Sequence, residues 1–238
     1  MIRLDDLQID NLKIYQDDEL YNFSTDAVLL ANFVEFSNKN VVVDLCSGNG
    51  VVGILASSKN FYKKIYLVEI QKQLSDLAKK SVEYNNLQNF DVICDDLNNI
   101  KEHIERESVD VVMVNPPYRK PSEHIVGKNE HFNICNYEIK VNLEQIIECA
   151  NYLLKFGGKF FMINDINRIE ESIVLLNKYN FKTKILQIVH PKANKDANVF
   201  LIKAVKGGKS GIKVLPNLIL NDDEGNYIIK VKKSKNER

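Results

Sequence analysis

The segment VVVDLCSGNGVVGILAS, residues 41–57, joins a short apolar run to a glycine-rich turn and then to a second apolar stretch. An apolar run of strand length suits a strand buried on both faces, because alternation is needed only where one face meets water. Gly48 and Gly50 follow, where a tight turn needs residues that tolerate positive φ. Residues 51–57 then read as the start of a helix. Strand, glycine turn and helix in that order open a parallel α/β sheet.

The alternation continues outward. Upstream, Ser24 or Thr25 can cap a helix over 26–36, where Ala27, Leu30, Ala31 and Val34 recur at helical spacing. Downstream, strand-like segments at 64–68, 90–94, 109–114, 158–163, 184–189 and 199–205 are interleaved with helical ones at 71–86, 97–104, 143–155 and 168–178. The expected architecture is a seven-stranded, mostly parallel sheet with helices on both faces, in one domain over 1–238. Within it, 1–40 is expected to cap one side of the site and 41–206 to form the core. The remainder, 207–238, is a basic extension in which 218–220 and 227–231 form a small hairpin or stay loosely attached. The stretch 115–141 is too long for a connector, so it is expected to carry function or to lack a fixed structure.

Composition narrows the class. Apolar residues make up 45% of the 238, enough for a substantial core. The formal net charge of zero hides an asymmetry: residues 182–238 hold 13 Lys+Arg against 5 Asp+Glu, leaving 19 against 27 before them. A basic end on an acidic body suits a polyanionic partner, and equally an ordinary solvated lysine surface. Cys46, Cys94, Cys135 and Cys149 are widely spaced, which indicates neither a disulfide framework nor a metal site. No apolar run approaches membrane-spanning length, and MIRLDDLQID is too acidic and polar for a signal peptide. A cytoplasmic protein without membrane or metal, and a monomer, is the expectation.

In a doubly wound sheet, ligands bind beyond the carboxyl ends of the strands where strand order reverses. There the loop after 41–45 meets the loop after 109–114, bringing Asp44–Gly50 beside Asn115-Pro116-Pro117-Tyr118. Residues 48–53, GNGVVG, match the literal dinucleotide fingerprint, with Glu69 nineteen positions after Gly50. However, Cys46 and Ser47 separate the strand from the glycines, and a carboxylate at Asp44 suits a cation better than a pyrophosphate. S-adenosylmethionine, a ribonucleoside bearing a sulfonium and no phosphate, fits better than NAD, although the loop alone excludes neither. Asn115 offers an amide oxygen and Pro116 a carbonyl held by two restricted prolines. Together they can orient an exocyclic amine and stabilise charge growing on nitrogen. Tyr118 can stack on a planar base or amide.

These motifs resemble the class I S-adenosylmethionine-dependent methyltransferases of the amino-methylating group, whose fold is Rossmann-like. FSTDAVLLANF (23–33), VDLCSGNGVVGILAS (43–57), VEIQ (68–71), NPPYRK (115–120), LLKFGGKF (153–160) and HPKANKDANVFLIKAVKGG (190–208) occur in order. The whole chain is similar to the bacterial valine-tRNA adenine-N6 methyltransferases. The resemblance implies methylation of the adenine immediately 3′ of the anticodon, in a tRNA anticodon stem-loop. Methylation of guanine N2 in ribosomal RNA, or of a protein glutamine, is the alternative use of the same motif.

The resemblance also implies residue roles. Asp44, Gly48 and Gly50 would surround the donor's methionine portion, Glu69 its ribose, and Asp96 and Leu97 its adenine, with Asp26 closing the pocket. Asn115, Pro116, Pro117 and Tyr118 would hold the target base. Arg119, Lys120 and Lys128 on one side, and Lys192, Lys195, Lys206 and Lys209 on the other, would line an RNA path. Relatives often carry an Arg-His-Glu-like stretch where this chain has Asn136-Tyr137-Glu138, and a proline at Asn217. His190, beside Pro191, is expected to be structural or to contact RNA rather than act as a base.

Overall fold

The structure, a computed structural model, describes residues 1–20, 22–121, 130–222 and 224–227. A hairpin of β1 (Ile2–Asp6) and β2 (Lys13–Asp17) leads into α1 (Thr25–Phe33). The repeating units follow: β3 (Val41–Leu45), α2 (Val51–Lys59), β4 (Lys64–Glu69), α3 (Lys72–Tyr84), β5 (Phe90–Cys94) and β6 (Val109–Val114). After α4 (Glu130–Asn136) come α5 (Leu143–Leu153), β7 (Leu154–Asp165), α6 (Ile169–Lys178), β8 (Phe181–His190) and β9 (Val199–Lys206).

Seven long strands form the sheet in the order β8-β9-β7-β6-β3-β4-β5, all parallel except β9. Two short strands, β10 (Lys213–Val214) and β11 (Leu218–Ile219), extend the β8 edge in parallel. The segment 218–219 thus joins the sheet as β11, and among the described residues a bridge between Asn221 and Tyr227 closes the chain back on itself, while 228–231 of the expected hairpin lie outside the described residues.

The apolar runs explain the layering. In β3 and β6, Val42, Val111 and Met113 face one core with α1, α2 and α3. Val43, Leu45, Val112 and Val114 face the other, with α5 and α6. Every second residue enters a different core, so both must be apolar, and the strands show no alternation. The cap of α5 is reciprocal: Asn142 accepts from Gln145 N while the Gln145 side chain accepts from Asn142 N.

The β1–β2 hairpin is absent from the periodicity reading. Its inward positions are Ile14 and the polar Gln16, so the apolar alternation is broken. β2 is held by side chains of α3. Ser81 Oγ accepts from Tyr15 N at 3.0 Å, and Asn85 exchanges hydrogen bonds with the Lys13 backbone at 2.9 and 2.7 Å.

Gly50 sits at φ +86°, and a Cβ there would lie 2.9 Å from Leu67 Cδ1 and 3.3 Å from Ala78 Cβ. Gly50→Ala is therefore expected to lower stability by about 1–3 kcal/mol, from left-handed strain and crowding together. Urea unfolding checks this, and an unchanged midpoint would remove the constraint from Gly50.

Candidate active site

Because β3 and β6 pair in parallel with Leu45 opposite Val114, their following loops open into one cavity of about 290 Å³. Cys46, Ser47, Gly48 and Asn49 form one wall, Asn115, Pro116, Pro117 and Tyr118 another. Glu69 at the end of β4 and Asp96 and Leu97 after β5 complete it, with Asp26 from α1. The two loops named from the sequence thus meet.

Gly48 adopts φ +56°, and no atom lies within 4 Å of where its Cβ would be, so bare backbone faces the cavity. Its N–H donates to Glu69 Oε2 at 2.8 Å, while Glu69 Oε1 accepts from Gln71 N at 2.9 Å. The carboxylate is thereby aimed by the loops on both sides of it. Burial raises its pKa above the usual range.

Two residues expected at the donor lie elsewhere. Asp44 and Gly50 are not in the cavity wall. Asp44 is 1% exposed, and its Oδ2 accepts from Gly53 N at 2.9 Å at the start of α2. Gly50 faces Leu67, Ala78 and Ile54 in the core. Both shape the loop from behind, Asp44 by turning its carboxyl to the first turn of α2 and Gly50 by packing against the core. Burial pushes the Asp44 carboxyl up to about 8, Gly53 opposing it. Asp44 Oδ1 is left without a hydrogen-bond partner beneath the loop.

The catalytic loop has a frame of its own. Arg168, 7% exposed, donates from Nη1 to the Tyr118 carbonyl at 3.0 Å and to Glu138 Oε1 at 2.8 Å. Glu138 also accepts from Leu143 N, the first residue of α5. Arg119 N donates to Asn136 O, and Glu138 N to Arg119 O, at 3.0 and 2.8 Å. Within Asn136-Tyr137-Glu138 the glutamate is thus the residue that holds the loop.

Part of the long stretch after β6 is helical. Ile134, Cys135 and Asn136 of α4 line the cavity, and Gln71 holds this helix through Cys135 Sγ at 3.1 Å and His131 Nδ1 at 2.8 Å. Sequence reasoning missed Gln71, Asn49, Asp95 and Asp165, all in the wall. Two of them carried a signal, since Gln71 closes VEIQ and Asp95 is the other half of an Asp-Asp pair.

The basic residues divide. Arg119 is in the wall and exposed, and Lys120 pairs with Glu171 at 3.1 Å on the surface. Lys195 and Lys209 are exposed and Lys192 is half-buried, while Lys128 lies outside the described residues. Lys206 is a correction. It is 7% exposed, and its ammonium donates to Glu107 and to the carbonyls of Asn151 and Leu154 at 2.6–3.0 Å, so it closes a core edge. His190 is held by both ring nitrogens, Nδ1 at Lys195 O and Nε2 at Asn217. Asn217 is thus part of its support. Among the described residues no group of three or more His, Cys, Asp or Glu is placed to hold a metal, and no helix is long and apolar enough to cross a membrane.

Comparison with known proteins agrees with this geometry. The chain belongs to the methyltransferase small domain family, whose model matches residues 24–186. A tRNA1(Val) (adenine(37)-N6)-methyltransferase of Dyadobacter fermentans is 24% identical over 66% of this chain and 65% of its own length. A release factor glutamine methyltransferase of Mycoplasma mycoides is 25% identical over 64% of this chain and 59% of its own. The chain thus spans less than two thirds of the length of both these relatives. The M. jannaschii TYW2 structure in complex with AdoMet superposes with a TM-score of 0.59 at 15% identity, covering 86% of each chain. The fold is that of the class I S-adenosylmethionine-dependent methyltransferases, and S-adenosylmethionine is their methyl donor.

The Asp44 carboxyl predicts a pH dependence. Unfolded, it ionises near 3.8; folded, near 8, so the native state retains a proton that the unfolded chain gives up. Its contribution is complete below about pH 4 and is lost as pH rises to about 8. Asp44→Asn keeps an acceptor for Gly53 and removes that slope. Thermal unfolding is expected to show the variant gaining on the wild type steadily over this window, with the residual slope from Glu69 retained. Parallel curves would show that Asp44 is ionised throughout.

Proposed function

We propose that the protein transfers a methyl group from S-adenosylmethionine to the N6 amine of adenine 37 in a valine tRNA. The observation that carries the reading is the single cavity shared by the Gly48–Glu69 wall and Asn115-Pro116-Pro117-Tyr118. The residues fit the donor. Glu69 suits a ribose diol, and the bare backbone at Gly48 admits a close-lying chain. When bound, S-adenosylmethionine supplies an electrophilic methyl on a sulfonium centre.

The chain's own residues act on the acceptor. Adenine's amine is a weak nucleophile because its lone pair is delocalised into the ring, so orientation matters more than a strong base. The Asn115 amide oxygen and the Pro116 carbonyl would accept the two N–H groups, localise the lone pair and stabilise the charge that develops on nitrogen. The Tyr118 ring would stack on the base. Stacking contributes about 1–3 kcal/mol, comparable with the few kcal/mol needed to turn a base out. Because Arg168 fixes the Tyr118 carbonyl, the tetrapeptide is held before substrate arrives.

Support for tRNA comes from the activity named for the Dyadobacter relative and from the exposed cations Arg119, Lys120 and Lys195 in loops at the carboxyl ends of the strands, whereas Lys209 lies at the opposite end of the sheet, beside Lys184. Residues 207–238, a basic extension, and 1–40, a cap that contributes Asp26 to the wall, belong to the same proposal. The protein-glutamine reading shares the planar NH2 and is separated by the test. Incubation with labelled donor, tRNA, ribosomal RNA and a glutamine-bearing protein, followed by nucleoside mass spectrometry, is expected to give N6-methyladenosine from tRNA. Label in methylguanosine or in protein would overturn the substrate assignment.

Asn115→Ala is expected to lower kcat by about 10²–10³-fold with donor affinity nearly unchanged, since the acceptor acts chiefly in the transition state. Neutralising Lys192 and Lys195 together is expected to weaken tRNA binding and to reduce the salt slope by nearly two. An unaltered slope removes them from the interface.

A further inference from the structure

Tyr118 Oη lies 2.9 Å from Asp26 Oδ2 and 2.8 Å from Asn115 Oδ1. The hydroxyl owns one hydrogen and faces two oxygens, so a second hydrogen must come from a neighbour. Two arrangements satisfy the group. In one, a protonated Asp26 donates to Tyr118, which donates to Asn115 Oδ1. In the other, an ionised Asp26 accepts the Tyr118 hydrogen, and the Asn115 amide turns over so that its NH2 donates to the tyrosine oxygen. The amide is planar, so fixing one edge determines what the opposite edge presents. The first arrangement presents NH2, which repels a target amine; the second presents the carbonyl oxygen, which accepts from it.

We propose that Asp26 is a positioning residue: by taking the Tyr118 hydroxyl hydrogen, its carboxylate turns the Asn115 amide so that the oxygen faces the target amine. This rests on Asn115 being the acceptor for that amine. The first arrangement, which has Asn115 Oδ1 toward the tyrosine as in the structure, is assigned as the resting one. Its surroundings favour that state: burial first, and then the charge of Asp165 at the end of β7, raise the Asp26 pKa, against the Tyr118 hydrogen bond. Tyr227 is the other titratable group described close to it. Activity should therefore rise with pH as Asp26 ionises, and a phenylalanine at 118 should lose that limb.

The three variants Asp26→Ala, Tyr118→Phe and the double test this. Without Asp26, the tyrosine hydrogen turns to Asn115 and holds the amide the wrong way, so kcat is expected to fall about 100-fold with KM for tRNA and donor affinity within about threefold. Tyr118→Phe keeps the ring and frees the amide, for a loss of about tenfold. The double variant is expected to match Tyr118→Phe, about tenfold faster than Asp26→Ala, a rescue that a merely structural role does not produce. A double variant no faster than Asp26→Ala overturns the proposal.

If the wild type methylates guanine or glutamine instead of adenine, the substrate reading fails alone and the same cycle is run on that amine. One arm needs no substrate. The Asn115 side-chain amide signals, assigned through their loss in Asn115→Asp, are expected to shift with pH in the wild type and in neither single variant. Identical pH-invariant signals in all three proteins also overturn it.

Discussion

The parallel pairing of Val42–Leu45 with Val111–Val114 is the contact on which the site depends. It places two strand ends side by side, so a glycine loop and a proline loop seventy residues apart in sequence share one opening. The pairing is maintained by burial on both faces: the side chains of β3 and β6 feed two separate cores, each roofed by its own helices. A one-residue slip would exchange the two cores and drive Asp44 across the sheet, which makes the register costly to alter.

Much of this was legible in the residues. β3 and β6 have the bounds read from their apolar runs, because both strands are buried on both faces, and β5, an edge strand with no buried residue, also has its expected bounds. The wall residues Gly48, Glu69 and Asn115–Tyr118 lie where loop chemistry and strand order put them, and Asp96 and Leu97 where the family resemblance put them. Other features depend on tertiary partners that leave no local trace. β2 is a strand because Ser81 and Asn85 of α3 satisfy its edge. Lys206 looks like any surface lysine until the carbonyls of Asn151 and Leu154 are seen to hold it. Asp44, read as a donor contact, proves to act one layer deeper, since strand-end position alone does not say which way the carboxylate turns.

Charge in this site is handled by concealment. Asp44 and Glu69 are both buried, both lean on backbone N–H groups, and both resist ionisation. Carboxyls so placed are drawn toward their ionised form by a nearby cation and held neutral by a nearby anion, so the pocket gains from the one and offers the other no partner. The same preference that favours a sulfonium donor disfavours a pyrophosphate, which is why the literal dinucleotide fingerprint at 48–53 misleads.

The bridge between Arg119 and Tyr137 has a further consequence. It ties the chain just after the tetrapeptide to the chain just before α5, and Arg168 anchors both ends to α6. A displacement of Tyr137 is therefore felt at Arg119, one residue from Tyr118, so that α4, α5 and α6 all report on the position of the catalytic loop.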